Sequence, residues 1–133
     1  VFERRVGPNN NGYIADVSDG TVGNRAFSDL TSATGLRFYA EASAAVQWIQ
    51  NASNVYTPGT RSKTAWSMAT NDIKMAKDGT GQTPDTVATI PVVTQLSVGQ
   101  RADGTFQFNG NISAVYLWTS ALSQSKLNAV STL

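Results

Sequence analysis

From Gly12 to Trp118 the chain is punctuated about every ten residues by Gly, Pro, Asn, Asp or Ser, and the intervals are short runs rich in β-branched and aromatic residues. That spacing holds strands and leaves little room for helices, so it predicts an all-β sandwich. The expected strands are 1–6, 12–17, 24–29, 35–42, 45–51, 63–70, 72–77, 95–99 and 110–118. Alternation is clearest where Leu36, Phe38 and Ala40 interleave with Arg37, Tyr39 and Glu41. Side chains along a strand point to opposite faces in turn, so this strand has one apolar and one wet side.

Turn chemistry supports the same division. Residues 63–77 read as a hairpin about Asn71-Asp72, and Asp78-Gly79 ends its return arm, because these residues tolerate positive φ. A tight turn near Ser43 joins the alternating strand to the next. Pro8, Pro58, Pro84 and Pro91 fall between expected strands, with Pro8 opening the turn Asn9-Asn10-Asn11-Gly12, and the polar stretch 80–89 reads as a surface loop. One short helix is expected at the end: Ser123 caps it, Leu122 staples onto Leu127, and Leu127 and Val130 share its inward face.

The 133 residues are enough for one core, with 41% hydrophobic and only 14% charged. The surface must be dressed largely in Ser, Thr, Asn, Gln and Gly, as extracellular β proteins often are. A formal net charge of +1, with Arg4-Arg5 the one adjacent basic pair, provides no basic stripe for nucleic acid and no long apolar run for membrane insertion. Histidine and cysteine are both absent. No Ser/His/Asp triad, thiol nucleophile, thiolate metal site or disulfide is therefore available.

The stretch K-T-A-W-S-M-A-T-N-D-I-K-M-A-K-D-G, from Lys63 to Gly79, resembles a hairpin of the laminin-G-like, concanavalin A-like lectin/glucanase modules found in phage tail and surface-adhesion proteins. Leu96 to Leu127 is similar to that family's ending: a strand closing on Gly99, a loop, Asn109-Gly110-Asn111-Ile112, a final strand through Trp118, and a short helix after Ala121-Leu122-Ser123. The resemblance implies a two-sheet antiparallel jelly-roll sandwich with a short C-terminal helix. It implies a single concanavalin-like domain over residues 1–133; the departure is at Val1, which starts inside the family's first strand, and the chain is expected to be a piece of a larger protein. That fold hosts lectins, glycosidases, adhesion modules and spacers alike; with histidine and cysteine missing and no paired carboxylates, the function expected is a non-catalytic carbohydrate-binding or adhesion module, on a virion tail or at a cell surface, whose partner is a cell-surface glycan or polysaccharide.

Two alternatives stand beside that reading. In the first, the exposed strands make structural or assembly contacts with parent-chain domains or a second copy. The second is a glycoside hydrolase. Glycosidases of the concanavalin type carry two carboxylates on one strand, two or four residues apart; Glu41 has Tyr39 and Ser43 in its neighbouring positions and Asp72 and Asp78 fall in turns, so no dyad lies within one strand.

Candidate glycan contacts combine an aromatic face with planar polar groups. Trp48 with Gln47 and Gln50, and Tyr39 with Arg37 and Glu41 on the adjoining strand, form the densest such cluster. Tyr56, beside Pro58 and Gly59, is a second candidate contact on a loop. Trp66 and Trp118 are expected in the core. Asp16 and Asp19 offer oxygen ligands for calcium, with local capping of turn amides as the plainer role, and Asp103-Gly104 reads as another turn. Asn51-Ala52-Ser53 and Asn111-Ile112-Ser113 match the glycosylation sequon.

Overall fold

The computed structural model describes residues 2–4, 12–32, 35–52 and 56–132. Arg5, the Asn9–Asn11 turn and Ser53 of the first sequon lie outside the described residues. Among the described residues there are eleven strands and one helix: β1 (Phe2–Arg4), β2 (Gly12–Ser18), β3 (Arg25–Leu30), β4 (Leu36–Ala42), β5 (Ala45–Ala52), β6 (Arg61–Ser62), β7 (Thr64–Ala69), β8 (Asp72–Lys77), β9 (Thr80–Gly81), β10 (Gln95–Val98), β11 (Gly110–Ile112) and α1 (Gln124–Val130). Every pairing among them is antiparallel.

One layer is a five-stranded sheet in the order β10-β2-β3-β4-β5. The opposing layer is made of two ladders, β7-β8-β9 and β11-β1-β6, which adjoin at Lys63 between β6 and β7. Between the layers lie Ile14, Val17, Ala26, Leu30, Leu36, Phe38, Ala40, Trp48, Ile73 and Met75, with Trp66, Met68 and Ile112 packed against them. Phe38 is the hinge of this packing. Its ring lies 4.9 Å from both Trp48 on its own sheet and Trp66 on the other.

The outer side of β7 and β8 is closed by α1, where Leu127 meets Ala65 and Ala76 and Leu122 packs against them. Ser123 caps the helix by accepting from the Lys126 amide at 3.4 Å. Val130 departs from expectation: it is exposed, because the helix is seated by Leu127 alone. The 80–89 stretch is less of a free loop than expected. Asp85 exchanges two backbone hydrogen bonds with Ile73, and Ala88 is buried.

The last expected strand is also shorter, since pairing ends at Ile112. Val115, Tyr116, Leu117 and Trp118 are exposed, and Trp118, half open at 50%, is not the core residue the sequence pointed to. Trp66 does pack on the core.

Candidate functional site

Register decides which side chains meet on the outer face of the five-stranded sheet. Strand β3 opposes β4 as Arg25↔Glu41, Phe27↔Tyr39 and Asp29↔Arg37, all six on the face away from the core. Strand β2 adds Tyr13 beside Asp29 and Asp16 beside Phe27, after a bulge at Ile14 that sends the isoleucine inward. Alternation in R-A-F-S-D-L on β3 and L-R-F-Y-A-E-A on β4 is thus what builds the face.

The centre of the face is a row of four aromatic rings. Phe106 lies 5.9 Å from Tyr13, Tyr13 4.4 Å from Phe27, and Phe27 4.9 Å from Tyr39 in a near-parallel stack. Two guanidiniums flank the Phe27–Tyr39 pair of this row, one from each side along the strands: Arg25 is 4.9 Å from the Phe27 centroid and 5.7 Å from that of Tyr39, and Arg37 is 5.1 and 5.6 Å away. Arg101 does the same for Phe106 at 5.5 Å. Each contact of this kind contributes about 0.5–2 kcal/mol, so the arginines are held flat instead of trailing into solvent.

Each sheet arginine also has a carboxylate. Arg37 grips Asp29 with two bonds, Nε to Oδ1 at 3.0 Å and Nη2 to Oδ2 at 2.7 Å. Arg25 stands 3.5 Å from Glu41 Oε2, which also accepts the Tyr39 hydroxyl at 3.1 Å. Burial pushes the Asp29 carboxyl above its ordinary range, against the pull of Arg37. Burial, and then the neighbouring Glu41, raise the Tyr39 phenol as well, which keeps it a donor.

One wall of the site is the 99–108 loop. Its backbone is tied to β2 by Gly99 N to Ile14 O, Tyr13 N to Phe106 O and Ala102 N to the Asp16 carboxylate. The loop lies so close that a Cβ on Gly12 would stand 2.9 Å from Phe108 Cα, which explains the glycine. Phe106 adopts φ 52°, a conformation that bulky residues rarely take, and the residue is 45% exposed. Tyr13 and Phe27 are buried floor, while Tyr39 and Phe106 remain partly open at the two ends of the row. Exposed Val46 and Ile49 share the face on the edge strand β5.

Of the residues singled out from sequence, Arg37, Tyr39 and Glu41 come together here. Trp48 and Tyr56 do not: both belong to the core, at 7% and 2% exposure, which corrects the expectation that they contact ligand. The bulge between Glu41↔Val46 and Ala40↔Trp48 is the reason, because it resets β5 so that Trp48 faces Phe38. Gln47 is the extra residue of that bulge and spends its side chain on Ala45 O and the Thr89 amide. Arg25, Phe27, Tyr13 and Phe106 were missed. The first two were legible in the period-two pattern of β3; Phe106 carried no signal, since a loop fold brings it there.

The acidic residues weighed for calcium are placed apart in role. Asp19 closes a local turn, accepting from Thr21 N, Thr21 Oγ1 and Asn24 Nδ2, and these bonds lower its pKa. Asp16 is buried on the outer face, accepts from Ala102 N through Oδ2, and leaves Oδ1 unpartnered; burial raises its pKa. Among the described residues no three His, Cys, Asp or Glu side chains gather as metal ligands. Asp103 turns the loop by accepting from both Thr105 N and Thr105 Oγ1.

Three carboxylates share the outer face, Asp16 and Asp29 buried and Glu41 partly open. Asp29 and Glu41 are separated by four positions of the β3/β4 ladder. At strand rise that is about 13 Å, beyond the ~5–9.5 Å that glycoside hydrolysis uses. A concavity of about 310 Å³ lies on the other side of the sheet from this open face, lined among others by Trp66, Leu96, Ile112, Tyr116 and Trp118. Ser67 on its wall accepts from the Leu122 amide at 3.0 Å.

No family model matches the sequence, and no curated protein matches it. A solved structure does match in shape: the chain titled Ruminococcus gnavus IT-sialidase CBM40 bound to alpha2,3 sialyllactose, with a TM-score of 0.78 at 15% sequence identity, over 98% of this chain and 79% of that one. The likeness bears on the fold alone and agrees with the two-layer antiparallel β-sandwich described above.

Proposed function

We propose that this protein is a non-catalytic carbohydrate-binding module that holds a glycan on the outer face of the five-stranded sheet. Tyr39 and Phe106 offer open ring surface to the apolar side of a sugar, and Arg25, Arg37 and Glu41 offer fixed donors and acceptors to its hydroxyls. The observation that carries the reading is the pair of guanidiniums stacked over the Phe27–Tyr39 rings on an open sheet face. Planar groups whose orientation is set before a ligand arrives lose little entropy on binding, which is what a shallow site needs.

The fold neighbour supports the same class of role, since it is a carbohydrate-binding module seen with a glycan. The spacing of Asp29 and Glu41, each tied to an arginine, supports binding over hydrolysis. The finer reading, a laminin-G-like adhesion module of a phage tail or surface protein working on a virion or outside the cell, rests on the motifs at Lys63–Gly79 and Leu96–Leu127. Calcium near Asp16 and Asp19 is no part of the proposal. The test is a glycan array probed with the wild type and with Tyr39→Ala. Binding that is lost in the variant supports the site; unchanged binding by the variant removes it.

One observation favours an assembly role as well. Val115, Tyr116, Leu117 and Trp118 form a continuous exposed apolar run, unusual on a free monomer surface. Light scattering after size exclusion tests it: a concentration-dependent dimer abolished by Trp118→Ser supports self-association, and a strict monomer contradicts it.

A further inference from the structure

Resting on the proposed glycan site, we infer that the site selects neutral glycans and that Glu41 is the residue that turns acidic ones away. The two cations on the β3/β4 face are matched by two anions in a fixed pattern, Arg25 with Glu41 and Arg37 with Asp29. The face therefore offers an anionic sugar no uncompensated positive charge. Asp29 is fully buried, so its charge only neutralises Arg37. Glu41 differs, because its side chain is partly open at 15% and lies directly beside the Tyr39 ring.

Both protein partners of Glu41, the Tyr39 hydroxyl and Arg25, meet Oε2 and neither uses Oε1. A carboxylate with an oxygen in reserve accepts sugar hydroxyls well and repels a sugar carboxylate. Arg101, whose guanidinium lies over Phe106, is paired with Asp103 at 3.1 Å and adds no net charge. The pattern thus departs from what the ligand of the fold neighbour alone would lead one to expect.

The experiment is calorimetric titration of the intact chain with paired oligosaccharides, each neutral member matched to an acidic counterpart, lactose and α2,3-sialyllactose among them. The inference predicts that the neutral member of a pair binds at least about fivefold more tightly, and that its Kd changes less than about twofold between 50 and 500 mM NaCl, since no counter-charge is used. Glu41→Gln, nearly isosteric, removes the carboxylate nearest Arg25 and should strengthen binding of the acidic member by about tenfold, a gain that salt removes. Tighter, salt-sensitive binding of the acidic member by the wild type overturns the charge inference and leaves the glycan site standing. Neutral preference with no gain in Glu41→Gln overturns the role of Glu41. Absence of binding by either member of every pair overturns the glycan reading itself, and this inference with it.

Discussion

The Arg37 guanidinium holds the Asp29 carboxylate in a fork, at 3.0 and 2.7 Å, with Asp29 completely buried. The pair locks one end of the outer-face array. Removing one partner of such a pair leaves a buried charge without its counter-ion, which costs about 3–5 kcal/mol. Arg37→Ala is therefore expected to lower the urea midpoint by an amount equivalent to about 3 kcal/mol with an unchanged m-value. Arg37→Lys keeps the charge without the fork and should fall between the two. A loss below 1 kcal/mol in Arg37→Ala would show that Asp29 is not held as described.

The tryptophans separate by role. Trp48 sits between the layers against Phe38, so Trp48→Ala should cost about 3–5 kcal/mol through lost contact and a cavity. Trp118 is half exposed, and Trp118→Ala should stay within about 1 kcal/mol of wild type. Thermal or urea denaturation of the two variants side by side checks the ordering, and equal losses would contradict it.

Why the sequence led to Trp48 is a matter of local geometry. Alternation along β4 is uninterrupted and correctly puts Arg37, Tyr39 and Glu41 on one face. Strand β5 contains a bulge, and one extra residue inverts every side chain beyond it, a shift that no pattern within A-V-Q-W-I-Q-N-A announces. The hairpin at Asn71, the turn at Asp78-Gly79, and the Ser123 cap with its Leu122–Leu127 staple were legible because their chemistry is local. Trp118 and Phe106 were not, since their exposure depends on where distant segments settle.

Asp16 makes stability depend on pH. Burial raises its pKa in the folded chain, so the protonated form is favoured on folding. That contribution is present below the ordinary carboxyl value of 3.8 and is lost as pH rises through the raised value. Asp16→Asn carries no such charge and can still accept from Ala102 N. The variant should gain about 1 kcal/mol over wild type at pH 7, a difference that shrinks toward zero as the solution is acidified, because the ionised, unpartnered Oδ1 is what costs. Paired Tm measurements across the pH range test this; a difference that grows on acidification would refute it.

The β4–β5 turn is strained by its residues. Ser43 and Ala44 take φ 52° and 61°, a pair of left-handed conformations that a two-residue hairpin requires and that alanine resists. Ala44→Gly is expected to stabilise by about 1 kcal/mol, or about 4 °C in Tm. The turn stays anchored in the variant, because its bonds to Asn24 Oδ1 and Gly23 O come from backbone amides. A lower Tm would mean that the Ala44 methyl contributes packing that outweighs the strain.

The central claim is that glycan is held by the outer face built from β2, β3 and β4. Amide chemical-shift mapping by NMR, with an oligosaccharide chosen from the array, addresses it most directly. The account predicts that the largest perturbations gather at Arg25, Phe27, Arg37, Tyr39, Glu41 and Phe106, with little change from Ser113 to Leu122. Perturbations centred on Trp66, Ile112 and Trp118, with the outer face silent, would contradict it.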